Sequence, residues 1–248
     1  MELNLKDRVA AVTGAGAGIG EAIARALAAE GCKISILDRD FKAAQNVAGS
    51  LKQSIPIALD VSDAEAVIGA FAEITEQLGR IDIVVNAAGL LSTGLVADLP
   101  PSEWQRVSQV NLAGMIHCVK AAIPAMKQQK HGRIINIASV SAERGGGSVG
   151  NTLYATTKAG VVALTKGLAR ELGPDKITVN AIAPAIADTA MTHKLLTEEA
   201  LKRILARIPM GRLAALSDIA DLAVFLASER ANFITGTTIP VDGGILTT

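Results

Sequence analysis

Short apolar, β-branched runs alternate along this chain with longer Ala-rich stretches in which apolar residues recur every three or four positions. The short runs are RVAAVTG (8–14), KISILD (33–38), SIPIALD (54–60), IDIVVNAAG (81–89), GRIINIAS (132–139), ITVNAIAP (177–184) and TTIPVDG (237–243). Between them the period lengthens. Residues 18–30 place Ile19, Ile23, Ala26 and Leu27 on one helical face, and residues 64–78 do the same with Val67, Phe71, Ile74 and Leu78. Strand alternating with helix predicts an α/β fold, a doubly wound parallel sheet with helices on both faces and right-handed crossovers. Strands this uniformly apolar suit a sheet covered on both sides. No linker, low-complexity tract or short-period repeat interrupts the pattern, which predicts a single domain over residues 1–248. The glycine-rich run RGGGSVGN (144–151) reads as a loop.

Composition narrows the function. Half of the 248 residues are hydrophobic, enough for a substantial core. Basic and acidic residues balance at 24 each, and aromatics make up 2%. Such a chain offers neither the bulk positive charge nor the stacking surface of a nucleic-acid binder, and no field for an anionic membrane. The start, MELNLKDRVAAVTGAG, lacks the pattern of a signal peptide, and no apolar run reaches membrane-spanning length. Cys32 and Cys118 lack metal-ligand spacing and read as small buried hydrophobes in a reducing compartment. A cytoplasmic protein acting on a small molecule, with no metal, is expected.

The first chemical signal is VTGAGAGIG (12–20), set between the first strand and the first helix. Gly14, Gly16, Gly18 and Gly20 there let a pyrophosphate approach the free N–H groups of a helix N-terminus. The second strand ends at Asp38, whose carboxylate can accept hydrogen bonds from both ribose hydroxyls of an adenosine. It would repel a 2′-phosphate by roughly 4 kcal/mol per charge pair at about 4 Å and an effective dielectric near 20. NAD is therefore expected over NADP, although the adjacent Arg39 could grip a phosphate if Asp38 turned away. Asp60, before VSD, is a candidate for the adenine amino group or, equally, a helix-capping turn. The second signal is the only tyrosine of the chain, Tyr154, followed four residues later by Lys158 in YATTK (154–158).

TGAGAGIG, NAAG (86–89), Asn111, Ser139, YATTK and VDGG (241–244) occur in the order and spacing of the short-chain dehydrogenase/reductase family, which the chain resembles over essentially its whole length. The resemblance implies a Rossmann-type sheet of about seven strands, a nicotinamide cofactor, redox chemistry at an alcohol or carbonyl carbon, and a homotetramer. By motif, Tyr154 resembles the catalytic acid/base, Lys158 its activator, and Ser139 the residue that orients the substrate oxygen. Asn111 resembles the asparagine that fixes a helix and a water chain behind the lysine. The implied cofactor-binding set is Gly14, Gly18, Ile19, Gly20, Asp38, Arg39, Asp60, Val61, Asn86, Gly89, Pro184, Ile186 and Thr189, with Tyr154 and Lys158. In that set NAAG steadies the central sheet beside the adenosine ribose, and Thr189 touches the nicotinamide amide or phosphate. Residues 185–212 are expected to form a substrate lid. Two departures stand out: Pro184-Ala185 replaces the family's usual Pro-Gly, and the segment from Ser139 to Tyr154 is longer than in the simplest members.

The chemistry explains the pairing. A free phenol, with a pKa near 10, is a poor base at neutral pH. Residues four apart share a helix face. An ammonium at roughly 4 Å would contribute up to about 4 kcal/mol, about 3 pKa units, and with the further positive charge of oxidised nicotinamide the phenol is expected near pH 7. Ser139 can donate a second hydrogen bond to the same substrate oxygen; Ser141 is its rival. His117 and His131 read as ordinary structural or surface residues, and His193 as a candidate substrate contact. Thr197 reads as an N-cap, followed by Leu201, Ile204, Leu205 and Ile208 on one face of a lid helix. Glu143, Arg144 and Asn151, in the longer loop, could select a polar substrate. The expected activity is NAD-dependent hydride transfer at a secondary alcohol or ketone, with polyols, sugars or hydroxy acids favoured and 3-oxoacyl carrier-protein thioesters as the alternative. A non-catalytic dinucleotide sensor or scaffold, and a lyase or dehalogenase that has abandoned the cofactor, are the readings from other classes.

Overall fold

The computed structural model describes residues 2–147 and 149–247. Seven strands form one parallel sheet: β1 (Val9–Thr13), β2 (Lys33–Asp38), β3 (Ser54–Ala58), β4 (Ile83–Asn86), β5 (Gly132–Ile137), β6 (Ile177–Pro184) and β7 (Thr238–Val241). They lie side by side in the order β3-β2-β1-β4-β5-β6-β7, every neighbouring pair parallel. The doubly wound sheet expected from the alternating pattern is thus present in a single domain. Among the described residues, ten α-helices connect the strands: α1 (Gly18–Ala29), α2 (Phe41–Gly49), α3 (Ala64–Leu78), α4 (Pro101–Ser108), α5 (Gly114–Gln129), α6 (Ser141–Arg144), α7 (Thr152–Leu172), α8 (Ala190–Leu195), α9 (Glu198–Leu205) and α10 (Leu216–Ala227).

Strand alternation divides the core into two layers. Ala10 and Val12 of β1 face Ile23 and Leu27 of α1 and Ala223 of α10. Val9 and Ala11 face the opposite layer, where Phe71 and Ile74 of α3 and Val119 and Met126 of α5 pack. The central strands are buried on both faces, which is why their sequences are largely apolar. No described helix is long and apolar enough to cross a membrane. Cys32 and Cys118 are free and buried, and burial pushes both thiols up to about 12.

The strands stop earlier than their apolar runs. β3 ends at Ala58 rather than residue 60, β4 at Asn86 rather than 89, and β5 at Ile137 rather than 139. Apolar character continues because these segments line a buried cleft, but the chain leaves the hydrogen-bond ladder to do so. Asp60, Gly89 and Ser139 therefore sit on loops just past strand ends. A helical stretch runs from Pro101 to Gln129 and is broken by a π-helical turn at Gln109–Ala113. Such single-turn bulges re-aim side chains, and this one carries Asn111.

Asp82 escaped the sequence reading, hidden inside an apolar run. It is fully buried at the amino end of the sheet, where it accepts from the Val9 amide at 2.9 Å and pairs with Arg8 at 3.1 Å and Arg80 at 2.6 Å. The signal available was a lone carboxylate in a buried strand, which needs cationic partners.

Candidate active site

β1 has β2 on one side and β4 on the other, so the strand order reverses there and a crevice opens at the carboxyl ends. A cleft of about 510 Å³ occupies that position. One end is built largely from backbone. Gly14 has φ +63°, and a Cβ on it would lie 2.7 Å from Ala88 Cα. A Cβ on Gly20 would overlap the Gly14 carbonyl oxygen, whereas Gly18, at φ +60°, faces open space. Ala17 caps α1 without a side-chain hydrogen bond, so no side chain competes for the first helical N–H groups. Thr13 Oγ1 accepts from the Ala87 and Ala88 amides, both at 3.2 Å, and pins the segment after β4 over the glycine loop. A cradle with these properties fits a dinucleotide pyrophosphate.

Gly18, Ile19 and Gly20 line this end, with Asp38, Arg39, Asp60 and Val61 beyond them. Asp38 is also an anchor. Its Oδ2 accepts from the Gly16 amide at 2.8 Å and its Oδ1 from the Asp40 amide at 2.9 Å. The carboxylate thus shapes the glycine loop as well as bounding the cleft, and these bonds hold it in place. Arg39 is exposed and lines the same end. Asp60 Oδ1 accepts from the Ser62 hydroxyl at 2.7 Å and the Ser62 amide at 2.9 Å. The Ser62 hydroxyl bond chiefly, then the amide, hold its carboxyl below the usual range, with Arg39 adding to the effect. Asp60 therefore makes the expected capping turn and lines the cleft at once.

Asn86 does not line the cleft. It is buried in β4 and donates through Nδ2 to Asn136 Oδ1 at 2.9 Å; Asn136 in turn donates to Thr165 Oγ1 at 2.9 Å. Its place among the cofactor contacts is corrected to a polar tie between β4, β5 and α7. The sheet-steadying part of the expectation stands. Gly89, Pro184, Ile186 and Thr189 do line the cleft. Thr189 also caps α8, accepting from the Thr192 amide at 3.1 Å. The methyl of Ala185 packs against an apolar cluster of Val140, Ile204, Ile208 and Ile245, so the fold absorbs the replacement of glycine.

Tyr154, Lys158 and Ser139 meet at the centre. Asn151 starts α7 by accepting from the Tyr154 amide at 3.0 Å, and its Nδ2 donates to Ser92 Oγ at 2.9 Å. A Cβ on Gly150 would overlap the Tyr154 ring, so glycine lets the loop lie flat against the phenol. The Ser139 side chain lies close enough to the phenol to oppose the rise in its pKa. Ser139 Oγ also accepts from the Ser141 amide at 3.1 Å, which helps to set its orientation. Ser141 lines the cleft nearby, its amide serving Ser139.

Lys158 is buried, and its Nζ donates to the Ile137 carbonyl at 2.6 Å while lying 5.7 Å from the Tyr154 ring centroid. Behind it Asn111 is clamped: Oδ1 accepts from the Leu90 amide at 2.7 Å, and Nδ2 donates to the Leu90 carbonyl at 2.9 Å and Thr157 Oγ1 at 3.0 Å. A Cβ on Gly89 would lie 3.5 Å from Asn111 Oδ1 and 3.7 Å from Lys158 Nζ, which places the three groups together.

The expected electrostatics need correction. Burial pushes the Tyr154 phenol up, and only the Ser139 side chain opposes it. Burial also lowers Lys158 to about 8. The protein atoms by themselves do not bring the phenol near pH 7. The estimate from a four-residue helical spacing omitted desolvation, which acts on both partners.

The remaining candidates separate. His193 is exposed and bonds Asp188 at 2.6 Å, outside the cleft lining; His117 Nδ1 lies 3.0 Å from the Val61 carbonyl. His131 is lowered to about 4, chiefly by burial. Thr197 caps α9, and Ile204 and Ile208 turn inward beside Val140, as the apolar stripe predicted.

Comparison with known proteins agrees with this architecture. A family profile described as enoyl-(acyl carrier protein) reductase matches residues 14–246. An uncharacterised short-chain type dehydrogenase/reductase, y4mP, from Sinorhizobium fredii is 36% identical over 249 residues, covering 98% of each chain. The 3-oxoacyl-acyl-carrier-protein reductase FabG of Pseudomonas aeruginosa is 40% identical over 247 residues, covering 98% of this chain and 99% of that protein. A crystal structure from Sinorhizobium meliloti 1021, described as a short-chain alcohol dehydrogenase, superposes with a TM-score of 0.94 at 35% identity, covering both chains completely.

Proposed function

The chain belongs to the short-chain dehydrogenase/reductase family of oxidoreductases, and from that premise we propose that it is an NAD(H)-dependent enzyme interconverting a secondary alcohol and a ketone. The observation that carries the reading is the convergence of Ser139, Tyr154 and Lys158 in the same cleft as the glycine cradle. Asp38, held at the adenosine end by two backbone amides, supports NAD over NADP. When bound, the nicotinamide supplies or accepts the hydride.

The chain's own groups handle the oxygen and its proton. Ser139 donates to the substrate oxygen and stabilises its alkoxide character. Tyr154 protonates that oxygen in reduction and takes the proton in oxidation. Lys158, buried behind the phenol and fixed on the Ile137 carbonyl, favours the ionised phenol while it is itself charged, at and below about pH 8. Asn111 keeps the backbone around Leu90 and the lysine in register.

Leu91, Val140, Val149, Ile186 and Ile245 give the substrate side apolar walls, with Ser141 and Thr192 among few polar groups. Such walls suit a hydroxy acid or the 3-oxoacyl group better than a polyol or sugar, whose hydroxyls would need more partners. The FabG relative favours the 3-oxoacyl thioester as the second reading. Helices α8 and α9 form the proposed lid over this side, and a homotetramer, in which exposed Trp104 and Ile116 would be covered, is part of the same proposal.

Tyr154→Phe tests the mechanism. Turnover of NADH with a panel of 3-oxo acids and esters should fall by at least about a thousand-fold while NADH affinity stays within about threefold. Retained turnover in the variant removes the phenol from the mechanism, and unaltered biological activity would favour the sensor reading.

A further inference from the structure

Three polar residues of the longer loop stood out as possible substrate selectors: Glu143, Arg144 and Asn151. The structure separates them. Asn151 is committed to capping α7 and to Ser92. Glu143 is exposed and absent from the cleft lining. Arg144 is different. It ends α6 half-buried, with Gly145 turning the chain away at φ +69°. Its backbone amide bonds Val140, yet no described residue accepts a hydrogen bond or ion pair from its guanidinium.

Arg144 also stands at a junction. It lines the catalytic cleft together with Tyr154, and it lines a second cavity of about 820 Å³ that also includes Thr93, Gly94 and Arg207. That second cavity has no acidic side chain among the described residues. Among the described residues, the carboxylates lining the catalytic cleft are Asp38 and Asp60, at the opposite, adenosine end. A half-buried guanidinium that pairs with no described residue and lines two cavities at once is an anion-binding arrangement: its planar fork matches carboxylate and phosphate oxygens.

We propose that Arg144 determines specificity by binding an anionic group carried by the substrate away from its reacting carbon. The inference rests on the proposed alcohol/ketone chemistry and adds the substrate class: an oxo or hydroxy compound bearing a carboxylate or a phosphate. Two sources share that chemistry. A short 3-oxo acid would place its carboxylate against Arg144 inside the cleft. A phosphopantetheine thioester would place its phosphate in the second cavity, between Arg144 and Arg207.

Matched substrate pairs distinguish them. Acetoacetate and ethyl acetoacetate share a ketone and differ in the carboxylate; acetoacetyl-phosphopantetheine and acetoacetyl-N-acetylcysteamine share a thioester and differ in the phosphate. With NADH, Arg144→Met should raise KM for the charged member of one pair about 10- to 100-fold more than for its neutral partner, with kcat changing less than about threefold. Arg144→Lys should restore part of the loss and serves in its place should Met impair folding. Arg207→Ala should add to the loss only if the phosphate pair is the sensitive one. Equal changes in both members of both pairs, or no change, overturn the proposal. If the wild-type enzyme reduces none of the four compounds, the proposed function fails. Calorimetric titration of the NADH-loaded protein with acetoacetate and with phosphopantetheine then reads the site alone. Binding lost in Arg144→Met supports it; binding unaltered, or absent from wild type, overturns it.

Discussion

The two ends of the cleft are built on opposite principles. At the adenosine end the backbone packs closely on itself. Gly14 abuts the Ala88 main chain and Gly20 the Gly14 carbonyl, so an added methyl meets backbone at both; Gly16 abuts the Asp38 side chain, and Gly18 faces open space at φ +60°. At the substrate end the packing is looser. An added Cβ on Gly145 or Gly147 would have no atom within 4 Å, although Gly145 sits at φ +69°, while Gly146 and Gly150 are constrained, the latter by the Tyr154 ring. The difference separates what a dinucleotide requires from what a substrate requires. A pyrophosphate is met by backbone N–H groups, whose positions depend on close packing. A substrate is met by side chains on a loop that can change without disturbing the sheet.

The strongest way to break this contrast is at Gly20. Gly20→Ala drives a methyl into the Gly14 carbonyl, and neither backbone segment can yield without opening the loop that starts α1. Titration of NADH should show at least about a hundred-fold loss of affinity, or the melting temperature should fall with it. Binding within about threefold at an unchanged melting temperature would mean that the adenosine end is no more constrained than the substrate end.

The same contrast explains how far the sequence could be read. Helix α3 lies where its apolar period put it, at residues 64–78, because one face meets the sheet and nothing else competes. The glycine loop was readable because its backbone need is absolute. Strand ends at Ala58, Asn86 and Ile137 were overrun, since apolar residues continue into the cleft wall after the ladder stops. Asn86 was assigned to the cofactor on motif position, but the cross-strand partner that occupies it, Asn136, is 50 positions away. The Tyr154–Lys158 pair was visible as spacing, while the burial that dominates both groups depends on what packs around them. Arg144 could be noticed but not ranked, because a missing partner is a property of the folded chain.

A smaller effect should sharpen the comparison at Asp38. The carboxylate both holds Gly16 and lines the cleft at the proposed adenosine end, so its charge and its hydrogen bonds can be separated. Asp38→Asn keeps an amide oxygen as acceptor for one backbone N–H and removes the negative charge. The ratio of kcat/KM for NADPH over NADH should rise about 10- to 100-fold, less than the full close-range repulsion because this end of the cleft opens to water. Arg39, exposed at the same end, becomes the group able to pair with the 2′-phosphate. A double variant with Arg39→Ala should lose most of the gain. An unchanged ratio in Asp38→Asn would leave Asp38 with its loop-anchoring role alone.

The smallest effect is expected at Gly147, in the middle of the substrate loop. Its φ lies outside the left-handed region and an added Cβ has no neighbour within 4 Å. Alanine there also restricts the unfolded chain, which contributes a few tenths of a kcal/mol up to about 1 kcal/mol toward stability where the native conformation is compatible. Gly147→Ala should therefore keep the melting temperature level or raise it slightly, with NADH affinity unaltered and substrate KM within about twofold. Gly150→Ala, three positions on, should behave like the adenosine end, because its methyl would displace the Tyr154 ring and kcat should fall with it. If Gly147→Ala proves as damaging as Gly150→Ala, the loop acts as one rigid unit. The freedom ascribed to the substrate end would then be wrong.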